Sequence, residues 1–518
     1  MRTTSKRFDF GPWRVVGFYD RRVTVESMSQ NKWFRRAAGA ALACASIVSI
    51  APLSGPAAPV VSAVSADPGG EFHALTPTRI LDTRPGMKIN DVQPFGAKLQ
   101  SADAAVGTAG EFHFNVLGKG GLPEDPDGIL AIVANFTVTE PGSQGWVAVY
   151  PRGFEFGGAN GSSSLINFKA GQSVPNLGMV GLDGNGDLTI KGFGSNTTYH
   201  LIIDVVGFIS TSQYAGESNG SRLEVVNPGR ILDTRITNVP IRAGETRPLQ
   251  IRGADTISDG STSIRTDIIP DRDTVAAALV NLTLVNKNLG SQATHVAATP
   301  DPITPGAFYP SSSNVPGGGV KANMAVVPVG DDGKIQLFNY AGDLHLVVDV
   351  LGYFEQDINA DTNRGRIVPL DAPFRAFDTR ESEFGDAPLQ HGSEEEWSFE
   401  AFVDSVVLNP DCVDAETEEP CSVPGPPQQA MIGSLVAVDL QPLHPSHSDG
   451  DYRSYLRLVP VDTAAGESSN LNFSLGDVVA NMSLVQYGTS GDDDHVVKAY
   501  NHYGSIDYLL DVYVIVLA

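Results

Sequence analysis

The hexapeptide RILDTR spans Arg79–Arg84, and it returns as RILDTR at Arg230–Arg235 and as RAFDTR at Arg375–Arg380. The copies are separated by roughly 150 residues, which is the usual size of one domain. A motif that recurs at such a spacing indicates an internal repeat. The 518-residue chain is therefore expected to contain three related units.

Further features follow each hexapeptide in the same order. An apolar run with a central polar residue comes first, and we assign that residue as Asn135, Asn281 or Asp439 in the three copies. A second apolar run follows, and after it two asparagines nine residues apart: Asn167 and Asn176, Asn314 and Asn323, Asn472 and Asn481. Each unit closes on an apolar run that contains one aspartate: Asp204, Asp349 and Asp511.

The composition of these runs indicates β-strands. They are short, they are rich in Val, Ile, Thr and aromatic residues, and Gly, Pro, Asn and Asp separate them. No long amphipathic pattern of helical period follows residue 66. The sequence predicts an all-β protein of three tandem antiparallel, jelly-roll-like β-sandwich modules, with closed β-barrels as the alternative. Polar linkers place the modules at residues 67–213, 222–356 and 364–518.

The combined motifs P-x-R-[IL]-[LF]-D-T-R, V-x-N-[FL]-T, S-x-N and D-V-x-G-[FY] resemble repeat modules of secreted and cell-surface proteins from actinobacteria and other environmental bacteria. The resemblance covers nearly all of residues 72–518. It implies non-catalytic modules that accompany secreted hydrolases or other surface domains, and it implies no particular ligand. The third unit departs from the pattern, because Val514 stands where the others have Gly207 and Gly352.

The N-terminus has the features of an export signal. Lys32, Arg35 and Arg36 precede the apolar run AAGAALACASIVSIA, and a stretch of small residues ends at Ala66. Residues 1–66 are expected to form the signal region, with Met28 as an alternative start. The protein is predicted to be secreted, with retention at the cell surface as a second option.

Charge and cysteine content agree with export. The net charge of the whole chain is −25, and it becomes −31 after residue 66, where 26 basic residues face 57 acidic ones. This balance argues against nucleic acid or an anionic membrane as a partner, and we expect no integral membrane segment in the mature chain. Cys412 and Cys421 remain after cleavage and are predicted to form a disulfide, against the alternative of a two-cysteine metal site.

The closing aspartates are expected to be buried and paired. Asp204 lies in the run HLIIDVVGF, which is apolar on both faces, and a buried carboxylate is costly unless it is paired. An arginine of the hexapeptide is the natural partner, because its planar guanidinium binds a carboxylate through two bonds. The predicted pairs are Arg79 or Arg84 with Asp204, Arg230 or Arg235 with Asp349, and Arg375 or Arg380 with Asp511. Asp82, Asp233 and Asp378 are predicted to cap turns.

The competing hypothesis makes Asp82 and Asp204 the acid/base pair of a glycosidase. Aromatic residues for a binding cleft are present in the first unit at Trp146 and Tyr150, which we take as candidate ligand-binding residues. They differ in the other copies, which does not favour three active sites. No cofactor or metal is predicted. The segment DGNGD, with Asp183, Asn185 and Asp187, is a weak calcium candidate that lacks the later ligands of a calcium loop.

The predicted function is a secreted, non-catalytic scaffold that binds cell-envelope or environmental polysaccharide and supports adhesion. Linked weak sites in tandem modules would gain avidity. A structural surface protein that self-associates is one alternative. An extracellular glycoside hydrolase or esterase is the other.

Overall fold

A computed structural model describes most of the chain after residue 68. The described ranges are 69–87, 96–102, 110–154, 163–211, 214–216, 219–257, 264–286, 292–304, 309–356, 362–381, 387–399, 427–442, 453–463, 468–488 and 495–518. Five strands of two or three residues are also described near the N-terminus, at Ser5–Lys6, Phe8–Asp9, Arg14–Val16, Thr24–Glu26 and Phe34–Arg35. The apolar signal run, Ala66 and the cysteines Cys412 and Cys421 lie outside the described residues.

Strands dominate the described part of the chain. Its helical elements are a 3-10 turn at Pro126–Gly128 and one α-helical turn, α1, at Thr234–Thr237. The all-β prediction is confirmed. After residue 68, the strands form six small antiparallel sheets, each with four principal strands. None of the described helices is long and apolar enough to cross a membrane.

The first segment, residues 69–211, contributes two of the sheets. Its strands are β1 (Phe72–Asp82), β2 (Leu99–Gln100), β3 (Glu111–Asn115), β4 (Ile129–Thr139), β5 (Gly145–Pro151), β6 (Ile166–Phe168), β7 (Val174–Gly181), β8 (Asp187–Phe193) and β9 (Thr198–Ser210). We name the sheet with the order β1-β9-β4-β7 the inner sheet, and β2 also pairs with β9. The outer sheet has the order β3-β8-β5-β6.

The second segment, residues 219–356, repeats this arrangement. Its strands are β10 (Arg222–Asp233), β11 (Thr246–Gln250), β12 (Val275–Val285), β13 (Thr294–Thr299), β14 (Ser313–Val315), β15 (Val320–Pro328), β16 (Lys334–Asn339) and β17 (His345–Glu355). The inner sheet has the order β10-β17-β12-β15, and the outer sheet has the order β11-β16-β13-β14.

The third segment, residues 362–518, has the same strand order again. Its strands are β18 (Ile367–Asp378), β19 (Glu394–Ser398), β20 (Gln428–Gln441), β21 (Arg453–Pro460), β22 (Leu471–Ser474), β23 (Val479–Gln486), β24 (Val496–Asn501) and β25 (Ser505–Leu517). The inner sheet runs β18-β25-β20-β23, and the outer sheet's segment-three strands run β19-β24-β21-β22.

Both faces of each inner sheet are buried, which explains why the central strands are apolar throughout. In β12, alternate side chains point to opposite faces of the sheet. Ala278, Val280 and Leu282 belong to the core that fills the second segment. Ala277 and Leu279 belong to a different core, which also contains residues of the first and third segments.

The three segments therefore share a central apolar core. To that core the second segment contributes Met324, the third contributes Ile432 and Val516, and the first contributes Phe72 and Met179. Strands β7, β15 and β23 contact one another in pairs around its centre. The inner faces of the three inner sheets are thus turned toward each other.

Backbone bridges close this arrangement into a cycle. Gly70 pairs with Ile367, which joins the first and third segments, and Ser221 pairs with Phe72, which joins the second and first. The Leu223 amide donates to the Gly365 carbonyl at 2.9 Å, which joins the second and third. These contacts describe one body in which each segment touches both others. They do not establish three separately folded modules.

Candidate functional site

The opening and closing strands of the first segment meet at a buried ion pair. Arg79 donates from Nε to Asp204 Oδ1 at 2.8 Å and from Nη2 to Asp204 Oδ2 at 3.1 Å. Its Nη1 donates to Asp82 Oδ2 at 2.8 Å. Arg79 and Asp204 are direct register partners on β1 and β9. Of the two candidate arginines, Arg79 is therefore the one that contacts Asp204.

Arg84 binds Asp82 instead. Its Nε lies 2.9 Å from Asp82 Oδ1 and its Nη2 lies 2.6 Å from Oδ2, while its backbone amide donates to Oδ1 at 3.1 Å. The last bond is the turn-capping contact of an Asx-type turn. Asp82 thus links a turn to the Arg79–Asp204 pair.

The other segments repeat the cluster with the same atoms. The Nε–Oδ1 distance is 2.9 Å for Arg230 and Asp349, and 2.8 Å for Arg375 and Asp511. Arg235 and Arg380 bind Asp233 and Asp378 through Nη2, at 2.6 Å in each case. Asp233 also caps the N-terminus of α1.

The pKa values of the two aspartates of each cluster are shifted in opposite directions. Burial raises the pKa of Asp204, and the bonds from Arg79 oppose that shift. Burial also acts to raise the pKa of Asp82, but the hydrogen bonds and charges of Arg84 and Arg79 outweigh it and bring the pKa below its usual value. The Asp349–Asp233 and Asp511–Asp378 sets show the same directions.

The threonine of the hexapeptide also binds the closing strand, a role that was not predicted from the sequence. The Thr83 hydroxyl accepts from the Leu201 amide at 2.9 Å. Thr234 and Thr379 accept from Leu346 and Tyr508 in the same way. Three identical Asp-Thr-Arg triplets were the signal for this role, because the threonine is as constant as the aspartate.

The central polar residues of the inner sheets join neighbouring segments. Asn135 Nδ2 donates to the Ser311 carbonyl at 2.6 Å, and Asn281 Nδ2 donates to the Ser469 carbonyl at 2.5 Å. In the third segment, Ser434 Oγ donates to the Ser164 carbonyl at 2.6 Å. These three bonds form a cycle from the first to the second, the second to the third, and the third to the first segment.

This geometry corrects one sequence assignment. Asn135 pairs with Asp204 and Asn281 pairs with Asp349, whereas Ser434 pairs with Asp511. The third counterpart is therefore Ser434. Asp439, which the sequence analysis assigned to that place, lies near the end of β20 with a positive φ of 58°.

One acidic residue joins all three segments beside the central strands. Asp477 of the third segment accepts from Lys169 of the first at 2.9 Å and from Lys321 of the second at 3.4 Å. Burial acts to raise the pKa of Asp477, but the two lysines outweigh it and lower the pKa. Glu71 makes a similar junction near the segment starts, with Arg222 at 3.0 Å and Arg366 at 3.7 Å.

A cavity of about 700 Å³ opens beside the Asp477 junction. Residues of all three segments line it, and most of them belong to the first and second segments. On the first-segment side it is lined by Arg79, Arg84, Gln172 and Ser173, and on the second-segment side by His295, Tyr309, Asn314 and Tyr340. The volume lies within the range of ligand sites in proteins.

Aromatic rings form one wall of this cavity. His295 and Tyr340 stack with their ring centroids 4.6 Å apart, and Tyr309 lies 5.9 Å from His295. Tyr340 is 56% exposed. Burial lowers the pKa of His295, which favours the neutral form of its ring. The wall therefore offers flat apolar faces with polar edges.

The candidate ligand residues of the first segment lie elsewhere. Tyr150 is 2% exposed, so its ring face is not available to a ligand. Trp146 is half-buried and stacks on Phe193, with the ring centroids 5.0 Å apart. This stack has counterparts in His295–Tyr340 and Tyr455–His502. The ring pairs thus recur in all three outer sheets, although their residue types differ.

The weak calcium candidate forms a tight turn between β7 of the inner sheet and β8 of the outer sheet. Asp183 Oδ1 accepts from the backbone amides of Asn185 at 2.9 Å and Asp187 at 2.7 Å. Asp187 itself pairs with Arg152 at 3.1 Å. Within the described ranges, no group of three or more His, Cys, Asp or Glu side chains is arranged to hold a metal ion.

Comparisons with known proteins give no family for this chain. No family model matches it, and no curated protein matches it. One solved structure, titled "The Triple Jelly Roll Fold and Turret Assembly in an Archaeal Virus", aligns with 86% of this chain and 91% of its own. Its sequence identity is 10% and its TM-score is 0.14.

Proposed function

We propose that the protein is a secreted, non-catalytic scaffold that binds polysaccharide of the cell envelope or the environment. The cavity between the first and second segments supports this function most directly. It combines the Tyr340–His295 stack with the amides of Gln172 and Asn314. Sugars present apolar C–H faces and many hydroxyl groups, and this combination of ring faces and amides suits both.

The carboxylates that a hydrolase would need are engaged with arginine. Asp82 and Asp204 are fully buried, and each accepts two or more bonds from guanidinium groups. A general acid must have a proton to give and a path to the substrate. The arrangement therefore favours a structural role for both aspartates and a binding role for the cavity.

We further propose that the three segments are β-sandwich modules of one ancestry that pack together as one body. The identical strand order of the three pairs of sheets supports this view. Export of the chain agrees with its acidic composition after residue 66. A cell-surface location would place the cavity within reach of envelope glycans.

Binding can be tested with the full mature chain and defined glycans. Isothermal titration against cellohexaose, chitohexaose, mannohexaose and hexagalacturonate is the primary measurement. Tyr340→Ala removes an exposed ring from the cavity wall and should weaken binding about tenfold, which corresponds to about 1.4 kcal/mol. Ile236→Ala is the matched control, because Ile236 is also 56% exposed and does not line the cavity.

The other functions predict different outcomes. Absence of binding to polysaccharides and to all four oligosaccharides would contradict the proposal, as would equal affinities of the Tyr340→Ala variant and the wild type. Release of reducing ends from a bound glycan would favour a hydrolase. A mass that rises with protein concentration in sedimentation experiments, without any glycan, would favour a self-associating surface protein.

A further inference from the structure

We infer that the chain keeps one of three equivalent clefts open, at the boundary between its first and second segments, and closes the other two with charged side chains. The inference rests on the proposed function, since it states where and how many times a glycan would bind. A glycan would then bind at one site and not at three linked sites.

Strand pairing defines the equivalent positions. In each outer sheet, one ring residue pairs with the first repeat asparagine of its segment: Trp146 with Asn167, His295 with Asn314, and Tyr455 with Asn472. Two positions before the ring residue stand Ala293 in the second segment and Arg453 in the third. Four positions after the asparagine stand Gly171 in the first segment and Gly318 in the second.

These positions face each other across a segment boundary. At the first boundary, Ala293 and Gly171 both line the cavity. A methyl group and a hydrogen atom are too short to bridge it, so the space remains open. At the boundary between the second and third segments, Arg453 takes the place of Ala293, and its Nη2 donates to the Gly318 carbonyl at 2.6 Å. The guanidinium of Arg453 thus crosses the space that is equivalent to the open cavity at the first boundary.

A salt bridge crosses the third boundary. Lys169 of the first segment and Asp477 of the third are joined at 2.9 Å. Their counterparts at the first boundary are Pro316 and Gln172, which are uncharged and which both line the cavity. Neither Pro316 nor Gln172 can supply an ion pair, so this second contact is not possible at the first boundary.

Each segment has one buried position at which a cysteine would report access through its cleft. Ile202 lies two residues before Asp204 and lines the cavity. Val347 and Leu509 lie two residues before Asp349 and Asp511 and are the counterparts of Ile202. All three side chains are more than nine-tenths buried in the protein. Access through the cleft therefore decides how fast a cysteine at each position reacts.

Thiol labelling of the full chain tests the inference without any glycan. Ile202→Cys, Val347→Cys and Leu509→Cys are treated with 5,5′-dithiobis(2-nitrobenzoate), and the parent protein gives the background from its own cysteines. We expect Ile202→Cys to react at least about tenfold faster than the other two. Adding Arg453→Ala should accelerate labelling of Val347→Cys, and adding Lys169→Ala should accelerate labelling of Leu509→Cys.

A substitution that closes the open cleft tests the same inference if Arg453→Ala or Lys169→Ala lowers the stability of the protein. Ala293→Arg in the Ile202→Cys background should slow labelling to the rate of Val347→Cys. Similar rates at the three positions, or rates that Arg453→Ala and Ala293→Arg leave unchanged, would overturn the inference. Failure of the proposed function would appear in the glycan titration and not in these rates.

Discussion

Arg79 binds Asp204 through both carboxylate oxygens, and the same guanidinium reaches Asp82 with its remaining nitrogen. One arginine thus joins the first strand, the last strand and the turn that follows the first strand. The same three-way contact is made by Arg230 and by Arg375. The hexapeptide recurs because each segment needs this junction to hold its ends together.

Removal of one partner should destabilise the protein strongly. Asp204→Ala removes the buried carboxylate that binds the mostly buried guanidinium of Arg79, and loss of one partner of such a pair costs about 3–5 kcal/mol. Urea unfolding at pH 7 measures the loss. Arg152→Ala is the control, because it breaks an exposed ion pair worth less than about 1 kcal/mol. An Asp204→Ala variant no less stable than Arg152→Ala would contradict the structural role of the cluster.

Substitution of a central polar residue should loosen the boundary between two segments. Asn135→Ala leaves the Ser311 carbonyl without its amide donor, and an unsatisfied buried group costs about 1–3 kcal/mol. Hydrogen–deuterium exchange should become faster in β7 and in β15, on both sides of the boundary. Asn281→Ala provides the comparison at the next boundary. Faster exchange confined to the first segment in Asn135→Ala would show that the bond does not join segments.

The Asp477 junction should make stability depend on pH in the acid range. The pKa of Asp477 lies below its usual 3.8, so its stabilising effect is complete above pH 3.8 and is lost as the pH falls through the lower, folded-state value. Asp477→Asn removes this effect. The difference in Tm between the wild type and Asp477→Asn should be largest near neutral pH and should shrink below pH 3.8. A difference that stays constant with pH would contradict the junction.

Gly207 should not tolerate a larger residue. A Cβ atom at this position would lie 2.2 Å from Cε2 of Phe72 and 2.6 Å from the His73 carbonyl oxygen. Overpacking of this kind costs about 1–3 kcal/mol, and a clash with backbone raises the cost. Gly207→Ala should therefore lower the Tm, whereas Gly142→Ala, whose Cβ would have ordinary contacts, should not. Equal Tm values for the two variants would contradict this packing.

The third segment shows why the sequence alone could not explain Gly207. Val514 stands at the equivalent position, and the residue that corresponds to Phe72 is Ile367. In the first segment the ring of Phe72, together with the His73 carbonyl oxygen, leaves no room for a Cβ atom at Gly207. A smaller partner accompanies the larger residue in the third, and that relation depends on strand register.

The local sequence pattern predicted the strands and the ion pairs within each segment. The strand-rich composition gave the all-β fold, and the cost of a buried carboxylate led to the arginine and aspartate pairs. The choice between Arg79 and Arg84 needed the register, in which Arg79 faces Asp204. The role of Asn135 and the counterpart Ser434 needed contacts between segments that are far apart in sequence.

The cavity could not be predicted from the sequence either. Gln172 and Tyr340 line the same space but come from different segments, and their residue types do not recur at the equivalent positions of the other segments. Trp146 and Tyr150 were predicted as ligand-binding residues because large aromatic residues are frequent in binding sites. A position in a repeat does not reveal which boundary stays open.

The shared central core sets the cooperativity of unfolding. Leu279, Ile432 and Met179 come from three segments and pack in one apolar cluster, so exposing one segment removes the packing of the other two. Calorimetry should then show a single heat-absorption peak in place of three. A destabilising substitution in any one inner sheet would shift that whole peak, and the polypeptide would melt as one thermodynamic unit.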